Sequence, residues 1–162
     1  TTILDASNLH EVTLFFANPD GTALATQSHR VPFGSTTVDN CRAAVEALIR
    51  GPRPGTEPVL PATAGVRAVY LLPSGELVLD FSRELAKDIR RSASTEALLV
   101  QALSHSVCQP PLAVKGEPQV KSVRLLVEGV LPQGMFESHV DFSQSFAPDP
   151  AWLTAPGKEG RQ

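Results

Sequence analysis

Two short segments of the chain place an aspartate and a serine in the same arrangement. Asp80 and Ser82 flank a phenylalanine, and Asp141 and Ser143 repeat this Asp-Phe-Ser order later in the sequence. Two carboxylates held close together could perform acid–base chemistry, because each changes the pKa of the other. In the alternative, each carboxylate accepts local backbone N–H groups in a turn that follows a strand. The residue types favour this structural alternative, with Ser82 capping the turn after it.

The sequence contains no other recognisable catalytic or ligand-binding pattern. Its four histidines are scattered, without the paired spacing that is typical of a zinc site. No glycine-rich phosphate loop occurs, and no Gly-x-Ser-x-Gly segment marks a hydrolase nucleophile. We therefore expect a protein that is not an enzyme and that uses neither a metal ion nor a cofactor.

The two cysteines are the other reactive side chains. Cys41 falls near the start of one predicted helix and Cys108 at the end of another. If these helices pack antiparallel on one sheet, the two side chains could form a disulfide, which would require an oxidising compartment. In the alternative, both are small buried side chains, with Cys41 on the core-facing side of its helix. The sequence leaves both interpretations open.

The composition is that of a globular domain. Hydrophobic residues make up 42% of the 162 residues and charged residues 19%, which provides enough apolar surface for a core. The net charge of −3 argues against a nucleic-acid partner, because contacts to phosphates need clustered cations. No apolar run is long enough to cross a bilayer, so membrane attachment would need an anchor that this chain does not contain.

Hydrophobic periodicity predicts a mixture of strands and helices. Strands are predicted over residues 12–17, 23–31, 66–72, 76–81, 120–128 and 138–142, and helices over about 36–50 and 95–107. This order predicts an α+β two-layer sandwich, with a small mixed or antiparallel sheet and two helices packed on one face. We expect residues 1–10 to be a flexible lead-in, residues 11–146 to form one domain, and residues 147–162 to be a Pro/Gly-rich tail.

Several segments, taken together, resemble the GerMN domain family of sporulation and spore-germination proteins. They are VTLFFANPDGTAL near the start, the helix exit at residues 48–52, LDFS at 79–82 and VEG at 127–129, in this order. The resemblance covers about residues 11–146. It implies an α/β fold akin to ring-building motifs, an exported and membrane-anchored parent protein, and a binding or assembly role without catalytic residues.

This resemblance sets the functional expectation. We expect a non-catalytic, extracytoplasmic binding or assembly module of the bacterial cell envelope, whose partner is another envelope protein or a second copy of itself. The alternative is a domain that binds a small molecule or an envelope glycan through the Pro-rich loop 51–65 and the polar strand ends. Arg83 is included among the binding residues because it opens a basic stretch before the second helix. The expected binding residues are Asp80, Ser82, Arg83, Asp141 and Ser143.

Overall fold

The computed structural model describes residues 8–89, 93–132 and 140–153. The elements in these ranges are β1 (Leu9–Ala17), β2 (Leu24–Pro32), α1 (Thr37–Arg50), β3 (Val66–Leu71), β4 (Glu76–Phe81), α2 (Glu84–Asp88), α3 (Ala93–Val107) and β5 (Ser122–Val127), with short 3-10 turns at Pro110–Leu112 and Pro150–Leu153. None of these helices is long and apolar enough to cross a membrane.

The strands of the described ranges form two sheets. Strands β1 and β2 pair antiparallel in a two-stranded sheet, with Thr13 opposite Ser28. The second sheet has the order β3–β4–β5, in which β3 is antiparallel and β5 is parallel to β4. The parallel pair requires a long crossover, which α2 and α3 provide. The predicted α+β class is confirmed, and the strands are divided between two sheets rather than gathered in one.

One hydrophobic core joins both sheets to the long helices. Leu77, Leu79 and Phe81 of β4 point into it and are fully buried, as is Leu14 of β1. Burying such a side chain contributes about 1.5–3 kcal/mol relative to leaving it exposed. Alternation along β4 and β5 therefore leaves the opposite face of the three-stranded sheet turned away from the core.

Helix α1 has the ends that the sequence predicts. The Thr36 hydroxyl oxygen accepts a hydrogen bond from the Asp39 N–H at 3.0 Å, which makes Thr36 the N-cap. Gly51 ends the helix with a φ of 95°, and its N–H donates to the carbonyls of Ala47 and Leu48. Glycine adopts this conformation without the steric cost that a Cβ would impose.

Other local predictions differ from the structure. Strand β1 begins at Leu9 rather than at residue 12, and the five-residue helix α2 was not predicted. The predicted strand over 138–142 is wrong where it can be checked, because residues 140–142 are not strand; residues 138 and 139 lie outside the described ranges. Instead, Phe146 pairs with Val123 at the edge of β5 through two backbone hydrogen bonds. In the predicted tail, Trp152 packs against the core.

Candidate functional site

Asp80 is held by groups from both neighbouring strands. It lies on β4 and is only 6% exposed. Its Oδ1 accepts a hydrogen bond from the Gly129 N–H at 2.9 Å, and its Oδ2 lies 3.4 Å from Nη1 of Arg67 on β3. The expected contact with a local turn is therefore wrong for Asp80, because its backbone donor lies 49 residues further along the chain.

A tight turn after β5 brings the Gly129 N–H to this carboxylate. Val127 and Val130 exchange backbone hydrogen bonds, and the two residues between them, Glu128 and Gly129, both have positive φ angles of 51° and 80°. Two consecutive positive φ angles are typical of a type I′ turn. The VEG segment of the sequence is therefore a two-residue turn whose glycine donates to Asp80.

Glu128 occupies a backbone conformation that is uncommon for a residue with a side chain. Its carboxylate has two partners: Oε2 accepts from the Arg83 N–H at 2.9 Å, and Oε1 lies 3.7 Å from Nη1 of Arg67. The Glu128 N–H donates to the carbonyl of Phe81 at 2.8 Å. These contacts connect the turn to the end of β4 and offset the conformational cost.

Ser82 connects the end of β4 to the end of the Pro-rich loop. Its Oγ accepts from the Gly65 N–H at 2.9 Å, and its own N–H donates to the Gly65 carbonyl at 2.8 Å. The N-cap of α2 is Arg83 rather than Ser82, and it makes no side-chain capping bond. Ser82 still contacts this turn, because its carbonyl accepts from the Leu85 N–H at 3.1 Å and its hydroxyl bonds to the Glu84 carboxyl. The backbone N–H of Glu84 and the Ser82 hydroxyl lower the pKa of the Glu84 carboxyl.

Arg83 is the most exposed member of this region, with 79% of its side chain accessible. The Arg67 and Glu128 side chains are also substantially exposed, whereas Asp80 beneath them is buried. Ion pairs this exposed contribute about 0–1 kcal/mol to folding, so their charges stay available to a partner. Arg90 and Arg91, the end of the predicted basic stretch, lie outside the described residues. We call Arg67, Asp80, Ser82, Arg83 and Glu128 the β4-exit cluster.

Asp141 and Ser143 form a separate local turn. Oδ1 of Asp141 accepts from both the Oγ of Ser143, at 2.6 Å, and its N–H, at 3.0 Å. These two bonds lower the pKa of the Asp141 carboxyl, because they stabilise its charged form. The Ser143 carbonyl accepts from Arg124 of β5 at 2.6 Å. Within the described residues, no hydrogen bond joins Asp141 to Asp80, so the two carboxylates do not form the coupled pair considered above.

The face of the three-stranded sheet opposite the core carries apolar side chains. Tyr70 of β3 lies beside Val78 of β4, which lies beside Arg124 of β5. In the next register position, Asp80 lies beside Leu126. Tyr70 is 54% exposed, and Val78 and Leu126 are half-buried. We call Tyr70, Val78 and Leu126 the outer sheet face; the β4-exit cluster borders it at one end.

Three residues of this region, Arg67, Tyr70 and Glu128, are not among those predicted from the sequence. The alternation of side chains could have identified Tyr70. Leu77 and Leu79 face the core, so the intervening Val78 and its cross-strand partner Tyr70 must face the opposite side of the sheet. Arg67 and Glu128 had no comparable signal. Arg67 lies at a register shift between Val66 and Ala68, and Glu128 depends on β5 lying beside β4; hydrophobic periodicity specifies neither feature.

The Pro-rich loop lines a shallow groove of about 470 Å³, which does not include the strand-end carboxylates. A second cleft, of about 260 Å³, lies between the β1–β2 turn and residues 57–59. Neither is lined by an aromatic side chain or by Asp80 or Asp141. The loop and the polar strand ends therefore do not combine into the single binding site that the small-molecule alternative assumed.

Both cysteines are free thiols in the structure. Burial raises the pKa of Cys41 to about 12 and that of Cys108 to about 11, so both side chains remain protonated at neutral pH. The thiolate is the form that reacts to make a disulfide, so the raised pKa values disfavour that reaction. The Cys41–Cys108 disulfide stays a prediction from the sequence; in this structure the two thiols are not joined. The described residues also contain no cluster of three or more His, Cys, Asp or Glu side chains that could hold a metal ion.

Comparison with known proteins identifies the family. The chain matches the Germane family, described as sporulation and spore germination, over residues 13–131, which is 119 of its 162 residues. The chain belongs to the Germane, or GerMN, family. Among curated proteins, no sequence matches the chain.

Solved GerMN structures share the fold. The first GerMN domain of the sporulation protein GerM from Bacillus subtilis has 21% identity and a TM-score of 0.66, covering 85% of this chain and 97% of that one. The tandem GerMN domains of the same protein have 17% identity and a TM-score of 0.65 over 96% of this chain, which spans half of the tandem structure. A Clostridium perfringens protein described as a candidate lipoprotein has 16% identity and a TM-score of 0.60, covering 93% and 95% of the two chains.

Proposed function

We propose that this GerMN-family domain is a non-catalytic binding or assembly module on the extracytoplasmic side of the bacterial cell envelope. The observation that carries the proposal is the outer sheet face, where exposed Tyr70 lies beside half-buried Val78. The family's description in sporulation and germination supports an envelope role, as does the likeness to a candidate lipoprotein. Asp80, Ser82 and Arg83 contribute by fixing the charged border of this face, while Asp141 and Ser143 hold the segment beside β5.

The chemistry of this surface suits a protein partner. Protein interfaces commonly place an aromatic side chain at a desolvated centre and polar or charged groups around it. Tyr70 supplies the aromatic centre, and Arg67 and Glu128 supply charges of both signs at the border. We infer that the partner is another envelope protein or a second copy of this domain.

Site-specific photo-crosslinking tests the proposal. A benzophenone amino acid replaces Tyr70 in one variant and Lys115, which is exposed and distant in sequence, in the control variant. After irradiation in envelope extract, we expect a discrete adduct from position 70 only, and mass spectrometry then identifies an envelope protein or a second copy. Equal adducts from both positions, or none from position 70, would overturn the proposal.

The location and the alternative function need separate tests. Protease accessibility of the native protein in intact protoplasts tests whether the domain lies outside the membrane; protection equal to that of a cytoplasmic marker would contradict this. A thermal-shift screen with cell-wall sugars tests the small-molecule or glycan alternative, for which the Pro-rich groove is the available cavity.

A further inference from the structure

The two outer edges of the β1–β2 sheet differ in how their backbone groups are hydrogen-bonded. Along β1, the side-chain amide of Gln109 bonds to both the N–H and the carbonyl of Thr13, at 3.2 and 2.6 Å. The Phe15 N–H donates to Ser106 Oγ at 3.1 Å, and Ala17 exchanges two backbone bonds with Glu57. The outward backbone N–H groups of β1 are therefore occupied from Thr13 to Ala17.

The edge of β2 has no such partners. Because the N–H groups of Thr13 and Phe15 point away from β2, their opposite residues, Ser28 and Thr26, form non-hydrogen-bonded pairs with β1. The backbone N–H and carbonyl groups of Thr26, Ser28 and Arg30 consequently point outward. Within the described part of the chain, none of them has a backbone or side-chain partner at this edge. All three residues are exposed, so this open edge is accessible.

Cationic side chains lie close to this open edge. The side chain of Gln27, between Thr26 and Ser28, bonds to the Arg53 carbonyl at 2.9 Å and accepts from the Arg53 N–H at 3.0 Å. Gln27 thereby fixes the backbone of the Pro-rich loop beside β2. Burial lowers the pKa of His29, and the positive charges of Arg53 and Arg50 lower it further. The same two charges create a positive potential beside β2.

These charges are largely uncompensated within the domain. Arg50 and Arg53 are exposed, and among the described residues neither lies within 4.0 Å of a carboxylate. Arg30 differs, because Glu11 lies opposite it in the β1–β2 register. A second copy paired along the same edge would bring two sets of Arg50 and Arg53 together, so charge repulsion disfavours that occupant.

We propose that the open edge of β2 binds an extended acidic segment of a partner protein as an additional strand. The segment would exchange backbone hydrogen bonds with Thr26, Ser28 and Arg30, and its carboxylates would pair with Arg50 and Arg53. The edge ends at Pro32, which has no N–H, so about five to seven partner residues would fit. This inference extends the proposed binding role to a second surface, away from Tyr70.

The test uses the purified domain and a synthetic peptide. The probe is a blocked heptapeptide in which glutamate alternates with valine, and the matched peptide has lysine in place of glutamate. We expect the acidic peptide to shift the Thr26, Ser28 and Arg30 amide signals in an NMR titration and to slow their hydrogen exchange. The Thr13 and Phe15 amides, which already have partners, should not gain protection.

Two pairs of variants separate the backbone and charge contributions. Ser28→Pro removes the central N–H at an edge where proline is tolerated, and Ser28→Ala keeps it. We expect Pro to weaken peptide binding at least tenfold and Ala to leave it within twofold. The double variant Arg50→Glu with Arg53→Glu should also weaken binding at least tenfold, whereas Lys115→Glu should not.

Several results would overturn the inference. These are equal affinity for the lysine peptide, equal affinity of the Ser28→Pro and Ser28→Ala variants, and no amide shift at millimolar peptide. The spectrum of Ser28→Pro without peptide shows whether it folds, and the arginine variant tests the inference independently if it does not. None of these results depends on Tyr70, so failure here is distinguishable from failure of the crosslinking experiment.

Discussion

The two Asp-Phe-Ser segments have the same sequence and different structural roles. Asp80 is buried and binds groups from β3 and from the turn after β5, whereas Asp141 is exposed and its described bonds run to Ser143 and Gln144, two and three residues further along the chain. The Ser82 hydroxyl binds Gly65, which precedes it by 17 residues, but the Ser143 hydroxyl bonds within its own turn. The difference arises because β4 is the central strand of its sheet, while residues 140–143 lie beyond the edge strand.

The comparison indicates what a short motif can and cannot specify. An aspartate that follows a hydrophobic run accepts hydrogen bonds from whichever N–H groups lie near it, because an ionised carboxylate has several acceptor sites. Which N–H groups are available depends on the neighbouring strands. Asp80 therefore stabilises the tertiary structure, and Asp141 stabilises a local turn.

The largest expected effect is at Asp80. Replacing it with alanine leaves the Gly129 N–H without its acceptor in a part-buried site and removes the contact with Arg67. We expect Asp80→Ala to lower the free energy of unfolding by about 1–3 kcal/mol, measured by urea denaturation. Asp141→Ala is the matched control and should destabilise the protein clearly less than Asp80→Ala does. An unchanged melting temperature for Asp80→Ala, together with lost partner binding, would refute its structural role.

Substitutions at Gly129 test the turn whose N–H donates to Asp80. A Cβ at this position would be strained because φ is +80°, and it would lie 3.7 Å from Nη1 of Arg67. We expect Gly129→Ala to cost about 1–2 kcal/mol by the same measurement. Gly129→Asn should cost less, because asparagine tolerates positive φ better than alanine. Equal losses for both variants would mean that φ strain is not the cause.

Much of the fold could be predicted from the sequence because its signals are local. Thr36 and Gly51 bound α1 by contacts within four residues, and alternation identified the β3–β4 hairpin. The division into two sheets was not predictable, since it depends on long-range pairing that periodicity leaves open. Helix α2 was missed because it is a single short turn. The described part of the predicted strand, residues 140–142, is not a strand because Phe146 pairs with β5 instead.

The candidate site was predictable in part for the same reason. The sequence selected Asp80, Ser82 and Arg83, which the fold places together, but it grouped them with Asp141 and Ser143, which the fold places elsewhere. The other two members of the β4-exit cluster are Arg67, from the hairpin partner β3, and Glu128, from the turn after β5, which is far from β4 in sequence. The parallel pairing of β5 with β4, which the sequence did not reveal, brings Glu128 to this cluster.

Replacing the serine of each Asp-Phe-Ser segment should have a smaller effect on stability than replacing Asp80. Ser82→Ala removes the acceptor of the part-buried Gly65 N–H, and we expect a loss of about 1 kcal/mol in urea denaturation. Ser143→Ala removes an exposed bond to Asp141 and should change stability by less than about 0.5 kcal/mol. If the two variants lost equal stability, the contrast between a tertiary and a local role would not extend to the serines.

The smallest effect concerns the pH dependence that Asp141 contributes. The Ser143 hydroxyl and N–H hold the folded-state pKa of Asp141 below its ordinary value of 3.8. A carboxyl with a depressed folded pKa contributes stability that is fully present above the unfolded value and is lost as the pH falls through the folded value. We therefore expect wild type to be slightly more stable than Asp141→Asn near neutral pH. This difference should shrink below pH 3.8.

Urea midpoints of both proteins across this pH range provide the measurement. Ser143→Ala is the matched background, because it removes the first cause of the depressed pKa while keeping the carboxyl. When Ser143→Ala is already present, the added Asp141→Asn substitution should change the pH dependence of the urea midpoint less than it does in the wild type. A difference that stays constant from neutral to acidic pH would instead mean that the Asp141 turn contributes through its backbone geometry and not through its charge.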